Sequence, residues 1–214
     1  MNRKGLKIPL KYDDVAYFKE GIGRVSLNGK WGFVDLEGRQ ITPIIFDEAW
    51  YFNEGLAKTK LNNKWGFIDK TGKYITQFIY DECSIHMEGM AKVSRNNKWG
   101  FIDKAGKEIT SMKYDLAYDF VKGRGLVKLN NKCGFVDKTG KEIIPLKYDE
   151  SYYFSEDGLA YVKLNGKWGF IDTNGEVKIP IKYDDAASFQ KGKARVKLGN
   201  KWIVIDREGN VTSQ

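Results

Sequence analysis

Two patterns of apolar and polar residues alternate along the chain. In Leu56-Ala57-Lys58-Thr59-Lys60-Leu61, Ala57, Thr59 and Leu61 share one face and Lys58 and Lys60 the other, which predicts a half-exposed β-strand. In Trp65-Gly66-Phe67-Ile68 both faces are apolar, so this strand is predicted to be covered on both sides. Gly66 is expected to leave room there for a neighbouring sheet to press close. Asn62-Asn63 joins the two runs. A type I′ hairpin turn needs positive φ at both central residues, which Asn and Gly tolerate best. After Asp69 comes a second joint, Asp-x-x-Gly, in which the carboxylate can accept turn amides and Gly72 can take the left-handed position.

The whole arrangement recurs. The Trp position falls at Trp31, Trp65, Trp99, Cys133, Trp168 and Trp202, a spacing of 34 residues with a single step of 35. The two-residue joint recurs from Asn28-Gly29 to Gly199-Asn200, and Asp-x-x-Gly from Asp35 to Gly209. A fixed period of this length means a repeat architecture. Helical repeats can share the period, but turn signals break this chain too often for a helix of useful length. Each unit reads as four short strands, opening in the second copy with Phe46-Asp47-Glu48-Ala49-Trp50-Tyr51-Phe52.

The expectation is therefore one all-β domain, residues 1–214, of six tandem antiparallel β-meander repeats. Lys7-Ile8-Pro9-Leu10-Lys11-Tyr12-Asp13 matches the end of a unit, so the N-terminal segment is expected to complete the last one. That would close a six-bladed β-propeller; an open β-solenoid or superhelix of the same meanders is the alternative.

Composition adds bounds. A net charge of +8 permits attraction to nucleic acid, anionic lipid or an acidic protein, but the lysines are spread through the repeats, as on a solvated surface. The charged start and the lack of an 18-residue apolar run lead us to expect no signal peptide, no membrane span and a cytoplasmic chain, as a monomer. Cys83 and Cys133 sit at unrelated repeat positions and imply no disulfide.

The Lys-Trp-Gly-Phe-Ile-Asp core, its turn Gly and the later Pro-x-x-Tyr-Asp resemble the bacterial WG-repeat family over essentially the whole chain. The proline stands at Pro9, Pro43, Pro145 and Pro180 but is Gln77 and Ser111 in two units. Cys133 replaces one Trp, and Ile203-Val204 replace Gly-Phe in the last copy. The resemblance implies a repeat-built β protein, often attached to other domains, that serves as a binding module. It brings no catalytic motif.

Chemistry is sparse. Asp13, Asp47, Asp81, Asp115, Asp149 and Asp184 recur after an aromatic residue and could hold a cation for metal-assisted hydrolysis. An Asp present in every copy, however, is expected to serve the scaffold by capping turn amides. Lys30, Lys64, Lys98, Lys132, Lys167 and Lys201 offer a basic rim for phosphates, with pairing to turn carboxylates as the simpler reading. His86 stands where other copies have Phe, and no second His or Cys is spaced to make a zinc site with it. No cofactor fingerprint is present: Gly21-Ile22-Gly23 precedes a hairpin and not a helix. No catalytic activity, cofactor or metal is expected.

The positions that vary between copies carry the site expectation: Ala16-Tyr17, Trp50-Tyr51, Ser84-Ile85, Tyr118-Asp119, Tyr152-Tyr153 and Ala187-Ser188. Tyr17, Trp50, Tyr51, Tyr118, Tyr152 and Tyr153 could form an aromatic surface for a protein or peptide partner. Inter-repeat packing is their plain structural use. Nucleic-acid binding through the lysines and binding of a sugar ring on the aromatics are the other functional readings.

Overall fold

The computed structural model describes residues 11–16 and 18–213, in which every regular element is a strand. Of the N-terminal segment expected to close a ring, Lys7 to Asp13, residues 7–10 lie outside the described residues, as does Tyr17. Two compact units divide the chain, Met1–Met112 with the first three repeats and Lys113–Gln214 with the last three. The expected fold class holds: all-β, six tandem antiparallel meanders.

The second repeat shows why these residues fold this way. Leu56–Leu61 pairs antiparallel with Lys64–Asp69, and Glu48–Ala49 pairs with the outer side of the former. Asn62 and Asn63 take φ of 51° and 62°, the left-handed pair that the hairpin requires. In the next turn Oδ1 of Asp69 accepts the amides of Thr71 and Lys73, while Gly72 sits at φ 85°. All six copies of this Asp cap their turns in the same way.

Among the described residues, four strands per repeat are present only in the second unit. In the fifth repeat the order is Glu150–Ser151, Leu159–Leu164, Lys167–Asp172, Val177–Tyr183, whereas the first three repeats have three strands each. There the fourth segment is held by isolated bridges, Trp65 to Tyr80 and Ile68 to Tyr74 in the second repeat. A threonine accompanies the difference in the first three repeats. Oγ1 of Thr42, Thr76 and Thr110 accepts the buried amide of Phe33, Phe67 and Phe101, at 3.0–3.1 Å. The side chain thus takes the donor that a ladder would use. The fourth and fifth repeats have Ile144 and Ile179 at that position, and Phe135 and Phe170 pair with them in a continuous strand.

The core lies between consecutive repeats within each unit. Phe33 of the first repeat packs with Phe52, Ala57 and Ile68 of the second, and Phe170 of the fifth with Phe189, Ala194 and Val196 of the sixth. Trp-strand residues are buried on both faces, as their pattern requires. The Gly of the Trp strand has a different reason from the one expected. What presses on it is the fourth segment of its own repeat and not a neighbouring sheet: a Cβ on Gly134 would lie 2.5 Å from the carbonyl oxygen of Ile144. The fourth strand bulges over the Gly, and its register with the Trp strand shifts between Cys133 and Phe135.

Candidate recognition site

Residues directly opposite in an antiparallel pair share a face, so Lys58 and Lys60, opposite Phe67 and Trp65, lie on the Trp face. Both are half-buried and lay their stems on aromatic surface. The Lys58 ammonium sits 4.5 Å from the Trp50 ring centroid and 4.6 Å from that of Trp65, a cation held between two indoles. It also donates to the carbonyl of Cys83 in the next repeat, at 2.8 Å. The first repeat repeats the motif, with Arg24 over Trp31 and hydrogen-bonded to the carbonyl of Ala49. Lys92 lies over Trp99 and Arg195 over Trp202. In the fifth repeat a tyrosine takes the cation's place. Tyr161 stacks on Tyr152 at 4.5 Å with ring planes 6° apart and leans on Trp168 at 5.4 Å. This shared stack was not identified as a site from sequence, although the shared face of Lys and Trp followed from the hairpin register.

The fourth repeat breaks the pattern twice. Leu126 stands in the cation position and Cys133 in the Trp position. A cleft of about 210 Å³ opens there, lined by Tyr118, Leu126, Lys128, Cys133, Ser151 and Tyr152 among others. Tyr118 meets Tyr153 edge-on at 6.0 Å, and Tyr118, Tyr152 and Tyr153 are all exposed, Tyr152 to 47%. Burial of part of the ring, with Asp119 nearby, pushes the Tyr153 hydroxyl above its ordinary pKa, and the phenol stays neutral. Burial likewise raises the Cys133 thiol, which leaves it protonated.

Of the aromatic residues expected to act together, the structure brings three to this cleft: Tyr118, Tyr152 and Tyr153. Trp50 and Tyr51 belong to the first unit. Trp50 is exposed, and Tyr51 is half-buried beneath Lys19, whose ammonium lies 4.1 Å from its ring centroid. With Arg24 and Trp31 they border the corresponding depression of the first repeat, which is more open and about 370 Å³ in volume.

The recurring charges are committed to the scaffold. Asp47, Asp81, Asp149 and Asp184 pair with Lys30, Lys64, Lys132 and Lys167 of the preceding repeat. The second carboxylate oxygen of Asp47, Asp81 and Asp184 caps the hairpin joint of its own repeat. The lysine, then the joint amides, hold each of these carboxyls below the usual carboxylate range. Among the described residues no group of three or more His, Cys, Asp or Glu side chains is placed to hold a metal ion. No helix among them is long and apolar enough to cross a membrane.

His86 is a core residue. It meets Phe67 edge-on at 4.8 Å, as Phe189 meets Phe170, and only Nε2 finds a partner, the Asp103 carbonyl at 3.3 Å. Nδ1 is buried without one. Burial lowers the imidazole pKa from 6.5, so the unfolded chain binds the proton more readily. Stability is then full above pH 6.5 and falls on acidification towards the folded-state pKa. His86→Phe is expected to raise stability by about 1 kcal/mol at pH 7. It should also remove the part of the decline that begins just below pH 6.5. Urea titrations of both proteins between pH 5 and 8 check this, and parallel curves would refute it.

These observations define a tandem-repeat β protein whose copies are linked each to the next within each unit, with one divergent copy. The chain belongs to the WG-containing repeat family: six matches cover residues 5–31, 31–65, 65–99, 99–133, 134–168 and 168–202. No curated protein matches it significantly in sequence. Among solved structures it is similar to a eukaryotic initiation factor at 12% identity and a TM-score of 0.50, over 97% of this chain and 66% of that one. Hsv2 of Kluyveromyces lactis is similar at 10% identity and a TM-score of 0.45, over 92% of this chain and 73% of that one. The first likeness shows a shared fold and nothing further.

Proposed function

We propose that the chain is a non-catalytic recognition module whose partner is a protein or peptide, contacted by Tyr118, Tyr152 and Tyr153. One observation carries this reading. These rings are exposed and held by one another and by Tyr161, at positions free to vary between repeats, while the recurring polar residues serve turns and inter-repeat pairs. Rigid aromatic side chains lose little entropy on contact and dominate binding energy at protein interfaces. A polyanion would instead have to displace the carboxylates already held by Lys30, Lys64, Lys132 and Lys167.

Capture of partners by the tagged protein, with and without nuclease and at low and high salt, tests the reading beside Tyr118→Ala/Tyr153→Ala and Trp50→Ala/Tyr152→Ala. Both variants are expected to lose a discrete protein that the parent retains at high salt after nuclease treatment. Retention of nucleic acid alone, vanishing with salt and indifferent to the tyrosines, would overturn it.

A further inference from the structure

The cleft on the fourth repeat has the walls of an indole site without the indole. In the fifth repeat Trp168 is surrounded by Tyr152 at 6.0 Å, Tyr161 at 5.4 Å and the Lys163 ammonium at 5.3 Å. Their counterparts one period earlier are Tyr118, Leu126 and Lys128, and all three line the cleft, as does Cys133 in place of the tryptophan. The two substitutions are complementary. A lone Trp-to-Cys change would leave an arginine or lysine lying over nothing. With Leu126 present, the position that carries a cation in other repeats is apolar; Lys128 stays in the lining, with Asp149 and Glu150 beside it, as the cation whose ring is missing.

A polar feature completes the match. Arg24 and Lys58 donate to the carbonyls of Ala49 and Cys83, and the corresponding carbonyl for the fourth repeat belongs to Ser151, which lines the cleft. Leu126 has no donor to offer it. An indole carries one N–H donor and no acceptor, so it suits a site with aromatic walls and an acceptor that has lost its cation. The far wall, Tyr152 and Tyr153, comes from the next repeat and leaves the mouth open to solvent.

We propose that this cleft is a socket for a tryptophan side chain supplied by the partner, replacing in trans the indole that five sibling repeats carry in cis. The proposal rests on the protein-recognition reading and adds to it the chemistry of the contact.

The probe is N-acetyl-tryptophanamide, titrated into the ¹⁵N-labelled protein, with N-acetyl-leucinamide and N-acetylglucosamine as comparators. Saturable shifts of the amides of Cys133, Gly134, Ser151 and Tyr152 are expected with the tryptophan probe, at an affinity at least tenfold above either comparator. Leu126→Lys/Cys133→Trp refills the socket and should weaken the probe at least tenfold while raising the melting temperature. The converse variant, Lys58→Leu/Trp65→Cys, should open a second saturable site beside Trp50. It keeps the test decisive if the refilled protein does not fold. No localised shift with the parent protein, or equal binding by the refilled variant, would overturn the proposal, as would tighter binding of the sugar. A partner captured equally by parent and refilled protein would also sink the socket, yet leave the recognition surface standing. Capture indifferent to Tyr118→Ala/Tyr153→Ala would sink that surface whatever the probe does.

Discussion

Phe170→Ala is expected to destabilise the second unit by roughly 3–5 kcal/mol, the usual cost of removing a fully buried ring. Phe170 has no exposed surface. It meets Phe189 of the following repeat at 4.8 Å and edges against Tyr161 at 6.3 Å, so its loss empties the seam between the fifth and sixth repeats. Residues on both sides are locked in strands, and the void cannot collapse without moving a ladder. Urea denaturation followed by tryptophan fluorescence measures the effect. A loss under 1 kcal/mol would mean that the seam is not closed by this ring.

One residue earlier the opposite error is expected to cost nearly as much. Gly169→Ala adds a single methyl group, yet that Cβ would sit 2.7 Å from Cα of Ile181 and 2.8 Å from the carbonyl oxygen of Ile179. Both are backbone atoms of the bulged fourth strand and cannot rotate away. Overpacking of this kind typically costs 1–3 kcal/mol, and about 3 kcal/mol is expected here because backbone has to move. Equilibrium unfolding beside Phe170→Ala is the comparison: unchanged stability in Gly169→Ala would show that the fourth strand does not close over the glycine. Together the two substitutions probe both faces of one strand, one by removing volume and the other by adding it.

The repeat, the hairpin joints and the two-faced Trp strand were legible in the sequence because each follows from local chemistry repeated six times. The number of strands was less so. In the first three repeats the fourth segment meets the Trp strand through Oγ1 of a threonine that Ile144 and Ile179 lack, and alternation alone does not say which donor that atom will take. For the site, the variable aromatic positions were visible, and Cys133 was legible as a lost tryptophan. Its neighbours were not, since Tyr118, Leu126 and Lys128 come to it through cross-strand register and Tyr152 from another repeat. The division of Trp50 and Tyr51 from the three cleft tyrosines likewise depends on how the repeats cluster into units.

The lysine–aspartate pairs limit how such a chain can change length. Each spans 17 residues, from Lys64 to Asp81 and from Lys167 to Asp184. The single 35-residue step does not touch this interval. Its extra residue sits in the turn where Ser155 bonds Leu159, four residues on, in place of the three separating Asn53 from Leu56. Insertions between an aspartate and the following lysine of its own repeat are therefore absorbed by a loop, while one between a lysine and the next aspartate would pull a pair apart. Lineages of this protein should gain or lose whole periods, or lengthen at that one turn, and alignments of its relatives should show gaps in no other place.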